Sequence, residues 1–128
     1  ETRRLLRDDT VGVSATCVRV PVYFGQSQSV NVEFESAITV DEARRLLAQA
    51  PGVRILDDPA VSFYPQPWAV SGLDHVFVGR IRKDAARSNS LSLWIVCDNL
   101  RKGAGLNAVQ LVEEGLRRGW IKSRKRRA

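Results

Sequence analysis

Two short stretches of this sequence carry residue types that could do chemistry. The first is VSATCVRVPVYFGQSQSV, Val13 to Val30, with Arg19 inside an apolar run and Gln26 seven residues beyond it in a Gly25-Gln26-Ser27 segment. A guanidinium is a planar fork of donors suited to a carboxylate or a phosphate. Placed within a strand, it is costly to desolvate unless an anion meets it. The plainer alternative is a strand arginine that reaches solvent or pairs with Glu33 or Glu35. The second stretch is Asp98-Asn99-Leu100-Arg101-Lys102-Gly103-Ala104-Gly105, a small-residue turn from an apolar run into a helical pattern. Glycines let a ligand approach the backbone, and free amides at a helix start attract anions such as a pyrophosphate. The spacing is neither a Rossmann nor a P-loop fingerprint, and a tight strand-to-helix connection accounts for the same residues.

Other constellations fall short. His75 is the single histidine and reads as a surface residue at the start of a strand. Cys17 and Cys97 lie in separate apolar runs and read as buried, reduced thiols, neither with the activating neighbours a nucleophile needs. One histidine and two separated cysteines make no metal-ligand cluster. The carboxylate pairs Asp8-Asp9, Asp57-Asp58 and Glu113-Glu114 read as turn or helix-surface pairs.

The elements that must position these residues follow from periodicity. Glu1 to Asp8 reads as the end of a helix, as if the chain were cut inside an element. Val11 to Val20 reads as a first strand ended by Pro21, which removes a ladder donor. Val30, Val32 and Phe34 alternate with polar residues, the pattern of a half-buried strand. Thr39 and Glu42 form a capping box before a helix with Ala43, Leu46, Leu47 and Ala50 on one face, stopped at Pro51-Gly52. Val53 to Leu56 is a short strand, and 57–74 a long irregular connection of the kind used for binding or oligomer contacts. His75 to Ile81 and Leu91 to Cys97 are further strands. In the second of these, Leu91, Leu93, Ile95 and Cys97 face one way and Trp94 and Val96 the other, so both faces are covered. Leu106 to Leu116 is a helix with Leu106, Val109, Val112 and Leu116 along a stripe. Helices and strands are interspersed without strict alternation, which predicts an α+β fold with a mixed, largely antiparallel sheet and helices packed on it.

The 128 residues fit one domain with a real core. No apolar run approaches the ~20 residues that span a bilayer, and Glu1 to Thr10 lacks the apolar centre of a signal peptide, so a cytoplasmic site is expected. The net charge of +6 is concentrated: Lys122, Arg124, Lys125, Arg126 and Arg127 account for all but +1 of it. The basic pI thus belongs to a terminal arm, read as solvated, and nucleic-acid binding is not expected.

The same stretches carry a family likeness. VSATCVRVPV followed by YFGQSQSV resembles the strand–loop–strand of bacterial aspartate-semialdehyde dehydrogenases. DEARRLLAQAPGVRILDDP, DHVFVGRIRKD and LWIVCDNLRKGAGLNAVQLVEE resemble the same family in the same order. The likeness spans Glu1 to Trp120 and covers only the C-terminal substrate-binding and dimerisation domain with its final helix. The fold it implies is that of the C-terminal domain of semialdehyde and glyceraldehyde-phosphate dehydrogenases. Residues 1–98 would be the substrate-binding and dimerisation domain. Residues 99–120 would be the turn and helix that return to a missing amino-terminal NADP domain, and 121–128 a basic tail. The implied reaction is reversible reductive dephosphorylation of aspartyl phosphate to aspartate semialdehyde, in lysine, threonine and methionine biosynthesis. In it a cysteine of the missing domain forms a thioester and NADPH supplies hydride.

By motif match Arg19 would bind the substrate carboxylate, and Asn99, Gly103 and Ala104 would lie beside NADP. The family's acid/base histidine, in a Gly-His-Ser loop, falls at Gln26. Glutamine cannot exchange a proton near neutral pH, and acid/base help is typically worth ~10²–10⁴ in rate. Gly105 stands where the family more often has alanine and should loosen the helix start. The chain alone is then expected neither to turn over substrate nor to hold NADP, and to form a homodimer through its sheet face and the long connection. A dimerisation module of a non-catalytic paralogue is the alternative.

Overall fold

In a computed structural model the chain builds one four-stranded sheet with helices on it; residues 1–122 are described. All but the first two residues of the expected basic tail lie outside them. In chain order the elements are α1 (Thr2–Leu6), β1 (Gln26–Glu33), α2 (Val40–Gln49), β2 (Val53–Ile55), α3 (Pro67–Val70), β3 (Val76–Lys83), β4 (Ser90–Cys97) and α4 (Leu106–Arg117). The sheet order is β1-β4-β3-β2, with β2–β3 parallel and the other pairs antiparallel. This is the α+β class the patterning predicts.

Burial explains the order. β4 is internal and apolar on both sides: Leu91, Leu93 and Ile95 join Val78, Ile81 and Ala43 of α2 on one face. Val96 and Trp94 join Phe77 and Val70 of α3 on the other. Each such side chain, fully buried, contributes ~1.5–3 kcal/mol. The hydroxyl of Thr39 accepts from the Glu42 amide and starts α2 as its capping box requires. Within α2, Ala43 is buried and Leu47 packs on the core, but Leu46 is largely exposed.

The connection 57–74 is more structured than its composition suggests. It holds a 3₁₀ turn at Pro59–Val61 and α3, and covers the second sheet face. The carbonyl of Pro65 accepts from the indole N–H of Trp94 at 2.9 Å. Close by, a Cβ added to buried Gly79 would lie 2.3 Å from the Leu56 carbonyl oxygen, so only glycine fits there. β3 then bulges between Gly79 and Arg82, with Arg80 at φ 51°. The bulge is held by Asp57, whose side chain is 3% exposed. Its carboxylate accepts from the Arg80 amide at 2.7 Å and the Ile81 amide at 3.1 Å, and pairs with Arg44 of α2. Asp58 is the turn residue expected, capping the Ala60 amide at 3.0 Å; Asp57 is instead a buried anchor.

The expected strand over Val11 to Val20 does not form. The segment has no regular structure and almost all of it is exposed, Val18 at 78%. Cys17 is exposed as well, against the expectation of a buried thiol, while Cys97 is buried. The physical reason is pairing: a strand needs a neighbour, and β1 pairs with β4 along Gln26–Glu33, starting earlier than the alternation at Val30 suggests. An apolar alternating run without a partner keeps its pattern but gains no ladder.

Candidate functional site

β1 and β4 bring the two sequence stretches together at one end of the sheet. Register pairs Gln26 with Cys97 and Gln28 with Ile95, so these four side chains share a face. The Gln26 amide nitrogen donates to the Cys97 sulfur at 3.6 Å. The expected turn over Gly25-Gln26-Ser27 narrows to Gly25, since Gln26 and Ser27 already belong to β1. Gly25 takes φ +85°, and a Cβ there would stand 3.2 Å from Pro67 Cβ and 3.3 Å from the Cys97 carbonyl oxygen, so both conformation and space demand glycine.

The turn after β4 is built on Asp98, which is 4% exposed. One carboxylate oxygen accepts from the Gly72 amide at 2.8 Å, and the other from the Leu100 amide at 2.9 Å and the Arg101 amide at 3.3 Å. The Gly72 bond, with those to Leu100 and Arg101 and the Arg101 charge, outweighs desolvation and holds the Asp98 carboxyl below the usual carboxylate range. This corrects the expectation of free amides: the anion at this helix start is the protein's own. Accepting from amides two and three residues on, Asp98 closes an Asx-type turn, for which aspartate is a favoured residue type.

Arg101–Gly105 forms a single widened turn, with the Gly105 amide donating to the Leu100 carbonyl at 3.1 Å, and α4 begins only at Leu106. Such π-type turns recur at functional sites, and this one occurs where Gly105 is expected to loosen the helix. Arg101 pairs with Asp74. Lys102 Nζ donates to Gln110 Oε1 of α4 at 2.6 Å. Asn99 turns back, its side-chain oxygen accepting from the Gly25 amide at 2.9 Å.

Between the sheet and the widened turn lies a solvent-open cavity of about 250 Å³. Its polar wall is Gln26, Gln28, Lys102 and Gly103, and its apolar floor Val76, Ile95 and Cys97. The structure therefore joins Gln26 with Gly103, and Asn99 with Gly25. Ala104 is exposed on the turn without lining the cavity. Arg19 is exposed and, among the described residues, has no hydrogen-bond or ion-pair partner, so the guanidinium is not embedded as expected. Missed as cavity residues were Lys102 and Gln28; the latter follows from period two, two residues after Gln26 on the same strand face. His75 is half-buried and edge-on to Phe77, ring centroids 6.2 Å apart. No group of metal-ligating side chains occurs among the described residues.

Comparison with known proteins adds three findings. Residues 1–102 match the model of a protein family described as semialdehyde dehydrogenase, dimerisation domain. Aspartate-semialdehyde dehydrogenase of Aquifex aeolicus is 50% identical over 121 residues, covering 94% of this chain and 36% of that protein. The Bacillus subtilis enzyme is 46% identical over 114 residues, covering 88% and 33%. The chain thus spans about a third of the length of these relatives. Among solved structures, aspartate semialdehyde dehydrogenase II of Vibrio cholerae, complexed with ASA, superimposes with a TM-score of 0.85. It is 37% identical and covers 91% of this chain and 34% of that one.

Proposed function

Because this chain belongs to the semialdehyde dehydrogenase dimerisation-domain family, we propose that it is the C-terminal domain of an aspartate-semialdehyde dehydrogenase. The reaction is the NADP-dependent one: aspartyl phosphate, NADPH and a proton give aspartate semialdehyde, NADP and phosphate, a step of amino-acid biosynthesis. What carries the reading is the near-complete alignment of the chain with one continuous third of enzymes of that name, at up to 50% identity. The meeting of Gln26 with the Asn99–Gly105 turn at one cavity supports it. A non-catalytic dimerisation module is not favoured, since the relatives named above are all dehydrogenases.

In this reading residues 1–98 form the substrate-binding and dimerisation part and 99–120 the return toward an amino-terminal NADP domain, with the basic tail from 121. Arg19 holds the substrate carboxylate, on an exposed segment that a second domain or subunit covers. Gln26 stands at the proton-transfer position and offers hydrogen bonds there without a titratable proton. NADP, when bound, supplies the hydride. Toward it this chain presents Asn99, Gly103 and Ala104: a backbone bare of bulky side chains, open to neutral groups of a cofactor. At this turn the Asp98 carboxylate already holds the Leu100 and Arg101 amides, which are then not offered to a pyrophosphate. The phosphates are therefore left to the NADP domain.

Two exposed apolar surfaces require cover. Val18, Val20 and Val22 precede β1, and Val109, Val112 and Leu116 line α4. Patches of this kind mark contact surfaces. We assign the α4 stripe to the NADP domain, and the sheet face and the 57–74 connection to a second copy, giving a homodimer in the cytoplasm. No helix among the described residues is long and apolar enough to cross a membrane.

The test is a chimera joining this chain to the amino-terminal two thirds of the Aquifex aeolicus relative. NADP reduction is followed with aspartate semialdehyde and phosphate. Arg19-dependent turnover is the expected result. A folded chimera that stays inert even with Gln26→His overturns the reading.

A further inference from the structure

We propose that Asp98 is a positioning residue for the cofactor side of the site: its buried carboxylate bridges the turn that bears Asn99 and Gly103 to the end of the 57–74 connection. The two oxygens serve different segments. Oδ1 accepts from the Leu100 and Arg101 amides at 2.9 and 3.3 Å, within the turn, while Oδ2 accepts from the Gly72 amide at 2.8 Å, 26 positions away. Gly72 is a firm point of attachment. It follows α3, whose Val70 is fully buried against Phe77 and Val96 of the sheet. The bridge therefore fixes the turn to the packed core. Its neighbours do not duplicate it, since Cys97 faces Gln26 and Asn99 bonds Gly25, both at the start of β1. A second link between the same two segments, Arg101 with Asp74, has both side chains nearly half in solvent, where ion pairs are worth little.

Residue type separates a bridge from a plain turn. Aspartate and asparagine both close Asx turns, and that role alone needs one side-chain oxygen. Only a carboxylate has a second oxygen to offer the Gly72 amide; asparagine presents an amino group there, donor against donor. The Gly72 bond is also the largest of the causes that hold this carboxyl below the usual range, ahead of the two turn amides. Released from Gly72, the turn keeps its own shape but rests on the Asn99 bond and the exposed Arg101–Asp74 pair. Gly103 then loses its fixed place against the sheet. Positioning of this kind acts on binding at the turn and leaves Gln26 and Arg19 alone. That the turn faces NADP rests on the dehydrogenase reading.

The experiment compares Asp98→Asn and Asp74→Ala with the parent in two settings. The first is amide hydrogen exchange in the 128-residue chain, followed by NMR with the β4 amides as the reference for global opening. Relative to them, Gly72 should exchange at least about tenfold faster in Asp98→Asn, the worth of a hydrogen bond to a charged group. Leu100 and Arg101 should stay protected. The second setting is the chimera with an NADP domain. There Asp98→Asn should raise KM for NADP about tenfold, while kcat and KM for aspartate semialdehyde stay within about threefold. Asp74→Ala should leave all three near the parent values. A Gly72 amide unprotected in the parent, or no faster than the β4 amides in Asp98→Asn, overturns the proposal. So does an equal effect from Asp74→Ala, or a fall in kcat as large as the change in KM. The exchange measurement reads no turnover, so an inert chimera together with a released Gly72 counts against the dehydrogenase reading and not against the bridge.

Discussion

The Gly25 backbone amide and the Asn99 side-chain oxygen, 74 positions apart in sequence, meet at 2.9 Å and tie the start of β1 to the turn after β4. This bond fixes Gln26 against the turn that carries Lys102 and Gly103. Asn99→Ala should cost about 1–2 kcal/mol, the price of stranding a part-buried donor. Asn99→Asp, which keeps the acceptor, should cost less. Gly25→Ala should exceed ~1 kcal/mol because its left-handed φ and two close neighbours both oppose a Cβ. Urea midpoints of the variants check the order.

Asp98 predicts an acid limb of stability. Its carboxyl is depressed in the fold, chiefly by the Gly72 amide. A depressed carboxyl stabilises the fold fully above the unfolded value, about 3.9, and that contribution is lost as pH falls through the folded value. Asp8, Asp84 and Glu114 shift the same way, Glu114 to about 2 under Arg117 and Arg118. The urea midpoint should therefore drop as pH falls below about 4. Asp98→Asn, destabilised at neutral pH, should converge toward the parent in acid. A constant gap from neutral pH to acid would contradict the assignment.

Asp57 should prove the most sensitive surface-distant carboxylate. Asp57→Ala strands the Arg80 and Ile81 amides and leaves Arg44 unpaired, a loss of about 3 kcal/mol or more. Arg44→Ala should cost less, because the carboxylate keeps both amides. Denaturant unfolding of the two variants gives the comparison directly.

The thiols offer a quick check on the first segment. Cys17 is exposed and Cys97 is 6% exposed beneath Gln26. One thiol per chain should react promptly with a disulfide reagent in native buffer, and the second only on unfolding. In the dimeric chimera, burial of the Val11–Val20 segment should slow the first.

These outcomes mark where the sequence is legible. Alternation and capping disclose β1, α2, β3 and β4, whose apolar residues pack within this chain, and α4, whose stripe is legible although Val109, Val112 and Leu116 stay exposed. Val11–Val20 has an equally good strand pattern and is exposed, since apolar periodicity encodes burial without naming the partner. Asp57 and Asp98 look like turn residues because their partners, Arg80 and Gly72, lie more than twenty positions away. Gln26 and Gly103 can be picked out one at a time by motif; only the β1–β4 register puts them on one cavity with Lys102 and Gln28.

Gln26→His is the decisive substitution. At the head of β1 the Gln26 side chain already points at Cys97 and the cavity, so an imidazole there would face the same space. Glutamine has no proton to exchange near neutrality, whereas histidine, with an ordinary pKa of about 6.5, does. In the chimera with an NADP domain, Gln26→His should raise kcat by ~10²–10⁴, the usual worth of acid/base help. It should also introduce a rate limb between about pH 6 and 7 that the glutamine form lacks. KM should change far less than kcat, because Arg19 and not residue 26 is assigned the substrate carboxylate. A rise in kcat without a new pH limb would mean that the imidazole acts by position alone, and a rise confined to KM would remove residue 26 from proton transfer altogether.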